Sequence, residues 1–132
     1  MNKKVVIDTN VLVSAAFLNP GSKPSKILEL ALSNKMEVYF SHDIISEYKT
    51  VLYRPKFKFN PDTLDLWLEC LTEKGHFFNP VPSTITFTDE SDRKFYDTAK
   101  ICGAYLITGN IRHYPDEKFI LTPAQFLALC EE

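Results

Sequence analysis

The chain has 132 residues, of which 45% are hydrophobic and 24% charged, a balance that predicts one folded domain over 1–132 and excludes a disordered or low-complexity chain. Fifteen Lys and Arg against seventeen Asp and Glu give a formal net charge of −2, so general coating of nucleic acid is not expected, whereas a local contact stays open. The three cysteines are odd in number and widely spaced, which indicates reduced thiols and neither a disulfide framework nor a zinc site.

The first residues combine a basic start with an apolar stretch, as a secretory signal does. Asp8 and Asn10 interrupt that stretch, and no small-residue cleavage site follows it before Pro20. We therefore expect a buried strand at 5–7 that leads into a helix at 11–18. No segment approaches the roughly 18 apolar residues of a membrane span, so we expect a soluble protein of the cytoplasm.

Strand-like and helix-like segments alternate along the rest of the chain, separated by caps, prolines and glycines. The predicted elements are a helix after Pro24, a strand at 37–41, a helix capped by Ser41 or Asp43, a break at 54–59, a helix from Asn60-Pro61, a weak strand at 76–81, a helix at about 91–102 ended by Gly103, strands at 105–108 and 119–121, and a last helix from Thr122-Pro123. This alternation predicts a three-layer α/β/α fold around a central, mostly parallel sheet of about five strands.

Acidic residues fall at positions that such a sheet brings to one edge. Ligands of open parallel sheets bind beyond the carboxyl ends of the strands. Asp8 follows the first strand directly, Glu47 lies on the helix after the second, and Asp92 lies at the start of the helix before the fourth. Each has an ordinary explanation alone: Asp8 as a helix cap, Glu47 beside an apolar stripe, Asp92 as an acid of a helix N-terminus. Asp97 lies roughly 140° around the helix from Asp92 and is a secondary candidate.

Taken together, these carboxylates favour a hard, oxygen-liganded cation, magnesium or manganese. The histidines and cysteines do not have the spacing of a zinc site, and the three histidines have no nucleophile elbow and no partner acid at a diagnostic spacing. The four glycines form no phosphate-binding loop. After these exclusions, metal-dependent phosphoryl chemistry is the class of reaction that the residues still favour.

Three segments, in this order and spacing, resemble the PIN-domain nuclease family, in particular the toxin components of bacterial toxin–antitoxin pairs. They are VVIDTNVLVSA at the start, SHDIISEY at 41–48, and DRKFYDTA at 92–99 with AYLITG after it. The resemblance covers nearly the whole chain. It implies a central parallel sheet, RNA cleavage that depends on magnesium or manganese, a cognate antitoxin protein, and a possible homodimer.

The resemblance also implies roles for individual residues. It makes Asp8, Glu47 and Asp92 catalytic, and it assigns the metal site to four acids: Asp8, Glu47, Asp92 and Asp97. Asn110 departs from the family pattern, because many relatives carry Asp near this point. An amide at this position removes a negative charge, so the binding of a second metal ion stays open. Asp116, in the following loop, is a candidate to replace part of the missing charge.

Supporting residues are expected around those acids. Candidates to hold the carboxylates by hydrogen bonds are Thr9, Asn10, Thr108 and Asn110. Candidates to bind RNA are Arg54, Lys56, Lys58, Arg93 and Lys94. Segment 54–59 alternates cations with aromatic residues, as grooves for single-stranded RNA do, although a solvated loop between helices has the same pattern.

Two other functions stay open at this point. A haloacid-dehalogenase-like phosphatase also begins with Asp at the end of its first strand, but it needs a second acid two residues later, where this chain has Asn10. Alternatively, Asn110 marks a weakened PIN domain that binds RNA or a partner without cutting.

Overall fold

The structure, a computed structural model, describes residues 2–17 and 19–131. Its strands are β1 (Lys4–Ile7), β2 (Glu37–Phe40), β3 (His76–Phe77), β4 (Tyr105–Ile107) and β5 (Ile120–Leu121). Its α-helices are α1 (Thr9–Phe17), α2 (Lys23–Leu32), α3 (His42–Leu52), α4 (Pro61–Lys74), α5 (Arg93–Cys102) and α6 (Pro123–Cys130). Short 3-10 helices lie at Pro55–Phe57, Glu90–Asp92 and Ile111–His113.

The five strands form one parallel sheet in the order β3-β2-β1-β4-β5, which confirms the predicted three-layer α/β/α fold. β1 lies in the middle of the sheet, and Val5, Val6 and Ile7 are fully buried because helices cover both faces. Ile7 pairs with Ile107, and the next backbone N–H, that of Asp8, donates to the Ile107 carbonyl at 2.9 Å. The first acid of the sequence therefore lies at the centre of the sheet edge.

Several predicted boundaries were wrong by a few residues. The strand expected at 76–81 consists of His76–Phe77 alone, because Pro80 and Pro82 have no N–H to donate to a sheet. The first helix begins at Thr9, two residues earlier than expected, and its expected last residue, Leu18, lies outside the described residues. The helix expected from 91 begins at Arg93, after the 3-10 turn at Glu90–Asp92, and the strands expected at 105–108 and 119–121 are shorter.

Two hydrogen bonds, one local and one between distant segments, fix where the helix that carries Glu47 begins and how it meets the sheet. The Ser41 hydroxyl, and not Asp43, caps α3 by accepting from the N–H of Ile44 at 3.1 Å. The hydroxyl of Tyr48, a fully buried residue, donates to the Ile7 carbonyl at the end of β1. α3 is thereby attached to the end of the central strand, one residue before Asp8. Within the described residues, every helix is too short or too polar to cross a lipid bilayer.

Candidate active site

Asp8 is buried at the end of β1, with only 6% of its surface exposed. Its Oδ2 accepts hydrogen bonds from the Thr108 hydroxyl at 2.9 Å and the Tyr114 hydroxyl at 2.8 Å. Burial raises the pKa of Asp8 and the charge of Glu47 raises it further, whereas the bonds from Tyr114, Thr108 and the Asn10 backbone lower it. Burial outweighs the hydrogen bonds, so the carboxylate is held in place while its ionised form is disfavoured.

Asp92 lies at the end of the 3-10 turn that precedes α5, with a side chain that is 13% exposed. Its Oδ2 is buried and has no hydrogen-bond partner among the described residues, and the nearby His113 Nδ1 is 3.8 Å away. Burial, followed by the charges of Asp8 and Asp89, raises the pKa of Asp92 to about 6. A buried carboxylate oxygen without a partner is costly, so this atom fits a bound cation.

The Glu47 side chain extends from α3 and contacts residues of α1 and α5. Its Oε2 accepts a hydrogen bond from the Thr9 hydroxyl, and its Oε1 lies 2.8 Å from the Lys94 ammonium. The Glu47 side chain is 23% exposed and lines a cleft of about 650 Å³ together with Arg54 and Asp97. Both oxygens of Glu47 are thus engaged, one of them by a cationic side chain.

Asp97 is buried on α5, and it holds the segment that precedes this helix in place by a hydrogen bond. Its Oδ2 accepts from the backbone N–H of Ser83 at 2.9 Å. Arg93 fastens the same segment, donating to the Ser83 carbonyl at 2.7 Å and forming two hydrogen bonds to Glu90. Asp97 therefore lies in the cleft with Glu47, while one of its oxygens has a structural role.

Two threonines expected to support the carboxylates do contact them. Thr9 donates to Glu47, and Thr108, which is fully buried, donates to Asp8. The Thr108 oxygen also accepts from the backbone N–H of Asn110 at 3.0 Å, so its own donor is directed to Asp8.

The side chains of the two asparagines make no hydrogen bond to the acids among the described residues. The Asn10 amide oxygen accepts from the backbone N–H of Gly109 at 2.9 Å, and its amide nitrogen is 3.5 Å from the Thr108 oxygen. A Cβ atom at position 109 would lie 3.3 Å from that Asn10 oxygen, a tight contact, so glycine suits the close approach of α1 to the segment after β4. Asn110 is exposed, and only its backbone takes part in the network among the described residues.

Two tyrosines of the site were not predicted from the sequence. Tyr114 follows β4 in a polar loop, and Tyr48 lies on the apolar stripe of α3, where it resembles an ordinary core residue. Burial, then the charge of Asp8, raises the pKa of each, so both hydroxyls remain protonated donors. Tyr114 lies in the segment that follows the carboxyl end of β4, seven residues beyond Ile107, and that position was the signal that could have identified it.

Asp8, Glu47 and Asp92, here named the acid site, influence one another electrostatically. The charges of Asp8 and Glu47 both raise the pKa of Asp92, and Glu47 raises that of Asp8. Over the described ranges, no three His, Cys, Asp or Glu side chains are close enough together to form a ready metal site. The carboxylate oxygens of the acid site are the type of ligand that a hard cation prefers. In this structure, however, the two Glu47 oxygens face Lys94 and Thr9.

The candidate RNA-binding cations divide into two groups. Arg93 and Lys94 form ion pairs with Glu90 and Glu47, respectively. The other three are exposed and form no ion pair within 2–17 and 19–131: Arg54, Lys56 and Lys58. Asp116, the partial substitute for Asn110, is exposed in the loop after Tyr114.

Comparison with known proteins gives two matches. A family model described as PIN domain matches residues 4–112. The chain is also similar to the uncharacterized protein MJ1680 of Methanocaldococcus jannaschii, with 34% identity over 110 residues, which cover 81% of this chain and 70% of that protein. The family match contains the whole acid site and ends before Tyr114.

Proposed function

Since the chain belongs to the PIN domain family, whose members are generally nucleases and typically use divalent metal ions, we propose that it is a metal-dependent endoribonuclease. The observation that carries the proposal is the buried Oδ2 of Asp92, which has no hydrogen-bond partner among the described residues and lies within electrostatic reach of Asp8. Two partly desolvated carboxylates that repel each other gain free energy from a cation between them.

Asp8 and Asp92 are the proposed ligands of magnesium or manganese, with Glu47 as a further ligand or as the base that orients the attacking water. Asp97 is the remaining acid of the cleft that Glu47 lines. A bound cation supplies charge neutralisation at the phosphate and a lower pKa for water. Asn110 adds no charge, so the proposal is for one cation.

The protein's own hydrogen bonds orient the carboxylates in this scheme. Thr108 and Tyr114 fix the Asp8 oxygen from the side of β4, and Thr9 fixes one Glu47 oxygen from the start of α1. Such supporting bonds select the orientation of a ligand before the cation arrives. Lys94 must leave Glu47 before that oxygen can bind a cation.

The observations support the two alternative functions to different degrees. A haloacid-dehalogenase-like phosphatase needs an acid at position 10, and the structure has Asn10 bonded to Gly109 there. That alternative therefore has no supporting observation. A weakened domain that binds RNA without cutting it differs from the proposed enzyme in one measurable property, which is metal-dependent cleavage of RNA.

Cleavage of a panel of structured RNAs tests the proposal. We expect cleavage with magnesium or manganese, none in excess chelator, and at least about a hundredfold loss in Asp8→Asn and Asp92→Asn, since metal charge stabilisation contributes several kcal/mol. Glu73→Gln, at an exposed acid of α4 outside the acid site, is the matched control and should cut at nearly the parent rate. Cleavage by metal-free protein in chelator contradicts the mechanism, and RNA binding without cleavage identifies the weakened domain.

We also propose that the ribonuclease is the toxin of a toxin–antitoxin pair, with an antitoxin protein as its partner. The support is the resemblance of the three motif segments to such toxins. Expression in a bacterial host should slow growth, and expression of Asp8→Asn at the same level should not. Equal growth with both forms contradicts the toxin role and leaves the ribonuclease proposal to be judged on the cleavage assay.

A further inference from the structure

Three phenylalanines form a partly exposed group at the end of α1, here named the aromatic cluster: Phe17, Phe57 and Phe59. The Phe17 ring meets Phe57 edge-on at 5.4 Å between centroids and meets Phe59 at 4.7 Å, while Phe57 and Phe59 stack at 5.3 Å with 24° between their planes. Phe17 is 58% exposed, and the other two are half-buried. Rings that brace one another in this way hold an aromatic surface in a fixed orientation toward solvent.

The two chain segments that carry these rings are unusually cationic. Segments 9–26 and 48–61 contain six of the 15 Lys and Arg residues of the chain and none of its 17 acids. The six cations are Lys23, Lys26, Lys49, Arg54, Lys56 and Lys58. None of the six forms an ion pair within the described part of the chain, and the Lys56 ammonium lies 5.3 Å from the Phe57 ring centroid. Unpaired cations around exposed rings favour a polyanion as the occupant.

The aromatic cluster is connected to the acid site by two helices. α1 begins at Thr9, which donates to Glu47, and ends at Phe17, eight residues or about 12 Å further along the helix axis. α3 leads from Glu47 toward Arg54, which lines the same cleft as Glu47 and directly precedes the 3-10 turn bearing Phe57. At 3.4 Å per stacked nucleotide, 12 Å corresponds to about four nucleotides.

We propose that the aromatic cluster is a stacking platform for single-stranded RNA, about four nucleotides from the acid site, and this rests on the proposed ribonuclease function. The bases stack on the exposed Phe17 face, while Arg54, Lys56 and Lys58 contact the phosphates. Every base has a flat face, so such a platform binds many sequences, and it requires unpaired bases, so it rejects a duplex.

Binding of fluorescein-labelled oligouridylate of twelve nucleotides, measured by anisotropy in excess chelator, tests the platform separately from cleavage. Phe17→Leu keeps an apolar side chain but loses the flat face, and we expect about fivefold to a hundredfold weaker binding. Phe17→Tyr keeps the ring and should bind like the parent. Phe77→Leu, at a ring that is 47% exposed on β3, is the matched aromatic control and should also bind like the parent.

The charged part of the platform has its own readout, which is the salt dependence of binding. Lys56→Gln should reduce the slope of log affinity against log salt by about 0.7, the value for one phosphate contact on a single strand. Lys35→Gln, at an exposed lysine after α2, should leave the slope unchanged. A blunt RNA duplex should bind the parent and Phe17→Leu equally weakly.

The outcomes separate this proposal from the proposed function. Cleavage of RNA by the parent together with unchanged oligouridylate binding in Phe17→Leu overturns the platform and leaves the ribonuclease intact. Ring-dependent binding without metal-dependent cleavage supports the platform and contradicts the ribonuclease. Concentration-dependent self-association that disappears in Phe17→Leu, with no RNA binding, identifies the cluster as a protein contact and overturns the platform. Thermal melts of each variant show that it is folded.

Discussion

The acid site and the cationic surface around the aromatic cluster both gather charges of one sign, but they differ in burial. Asp8 and Asp92 are mostly buried, and burial together with neighbouring charges raises the pKa of both. Lys56 and Lys58 are exposed, where water and salt screen like charges from each other. Placing like charges close together therefore costs free energy in the buried acid site, whereas it costs very little on the exposed cationic surface.

This difference shows which region depends on its ligand. The acid site has a buried oxygen, Asp92 Oδ2, that has no hydrogen-bond partner among the described residues, and a bound cation should relieve this cost. The cationic surface is stable without RNA because its charges stay hydrated. A net charge of −2 hides both features, since six cations lie in two segments without acids, while the other nine are mixed with the 17 acids.

The sharpest test of this comparison is removal of one charge from each region of the metal-free protein. Asp8→Asn keeps an acceptor oxygen for Thr108 and Tyr114 but relieves repulsion, so it should melt at a higher temperature than the parent. Manganese at a hundredfold excess over Kd should stabilise the parent by about 2.7 kcal/mol and stabilise Asp8→Asn far less.

The control for that measurement is Lys56→Gln, on the cationic surface. It should change the metal-free melting temperature little and keep the full manganese shift. If Asp8→Asn destabilises the metal-free protein and keeps the full shift, Asp8 is a structural cap and the acid site is wrongly assigned. Asn110→Asp adds a charge at an exposed position, so it should lower metal-free stability only slightly while enlarging the manganese shift.

A second prediction concerns the hydrogen bond that orients Asp8. Tyr114→Phe removes one donor to the Asp8 oxygen and should lower metal-dependent cleavage by about tenfold to a hundredfold, the usual effect of losing a bond that supports a metal ligand. Tyr105→Phe is the control, because the Tyr105 hydroxyl makes no hydrogen bond within the described residues. Parent-like rates and manganese affinity in Tyr114→Phe would show that Asp8 needs no such support.

The ion pair between Lys94 and Glu47 gives a smaller effect of opposite sign. Lys94→Met removes a cation that competes for a Glu47 oxygen, so manganese affinity should rise about twofold to fivefold, the range for a partly exposed pair. Lys100→Met removes the cation beside Glu117, away from the acid site, and should leave the affinity unchanged. Titration calorimetry distinguishes them, and weaker manganese binding in Lys94→Met contradicts the competition.

A further prediction concerns the pH dependence of metal-free stability. The pKa of Asp92 is raised to about 6 in the folded protein from an ordinary value of 3.8, so its ionisation is disfavoured by folding. Its contribution to stability is therefore complete below about pH 4 and is lost as the pH rises through 6. Relative to Asp92→Asn, the parent should lose a few degrees of melting temperature between pH 4.5 and 7. Parallel curves for the two proteins would indicate that Asp92 titrates normally.

The sequence identified the elements well where local chemistry decides them. The β-branched run Val5-Val6-Ile7 predicted a buried strand, and Asn60, Gly103 and Thr122 ended or capped helices as expected. It was less successful at 76–81, because strand pairing there depends on the neighbouring strand and is stopped by prolines.

Within the site, residue type and position after a strand were enough to select Asp8, Thr9 and Thr108 as candidates. Tertiary structure alone decided what those side chains contact. The bond from Tyr114 to Asp8 joins residues 106 positions apart, and the Lys94 pair engages Glu47 across two helices. No local pattern encodes such contacts, since they arise when crossovers bring the ends of separate strands and helices together.

The sequence by itself thus determined the α/β class, because hydrophobic periodicity and caps are properties of neighbouring residues. It also determined the supply of acids, cations and aromatic rings. Only the tertiary structure decided that Asp92 Oδ2 is buried without a hydrogen-bond partner in the described part of the chain, and that Phe17 meets Phe57 and Phe59, which lie about 40 residues further along the chain. Burial and side-chain contact depend on packing between distant segments, which sequence spacing does not specify.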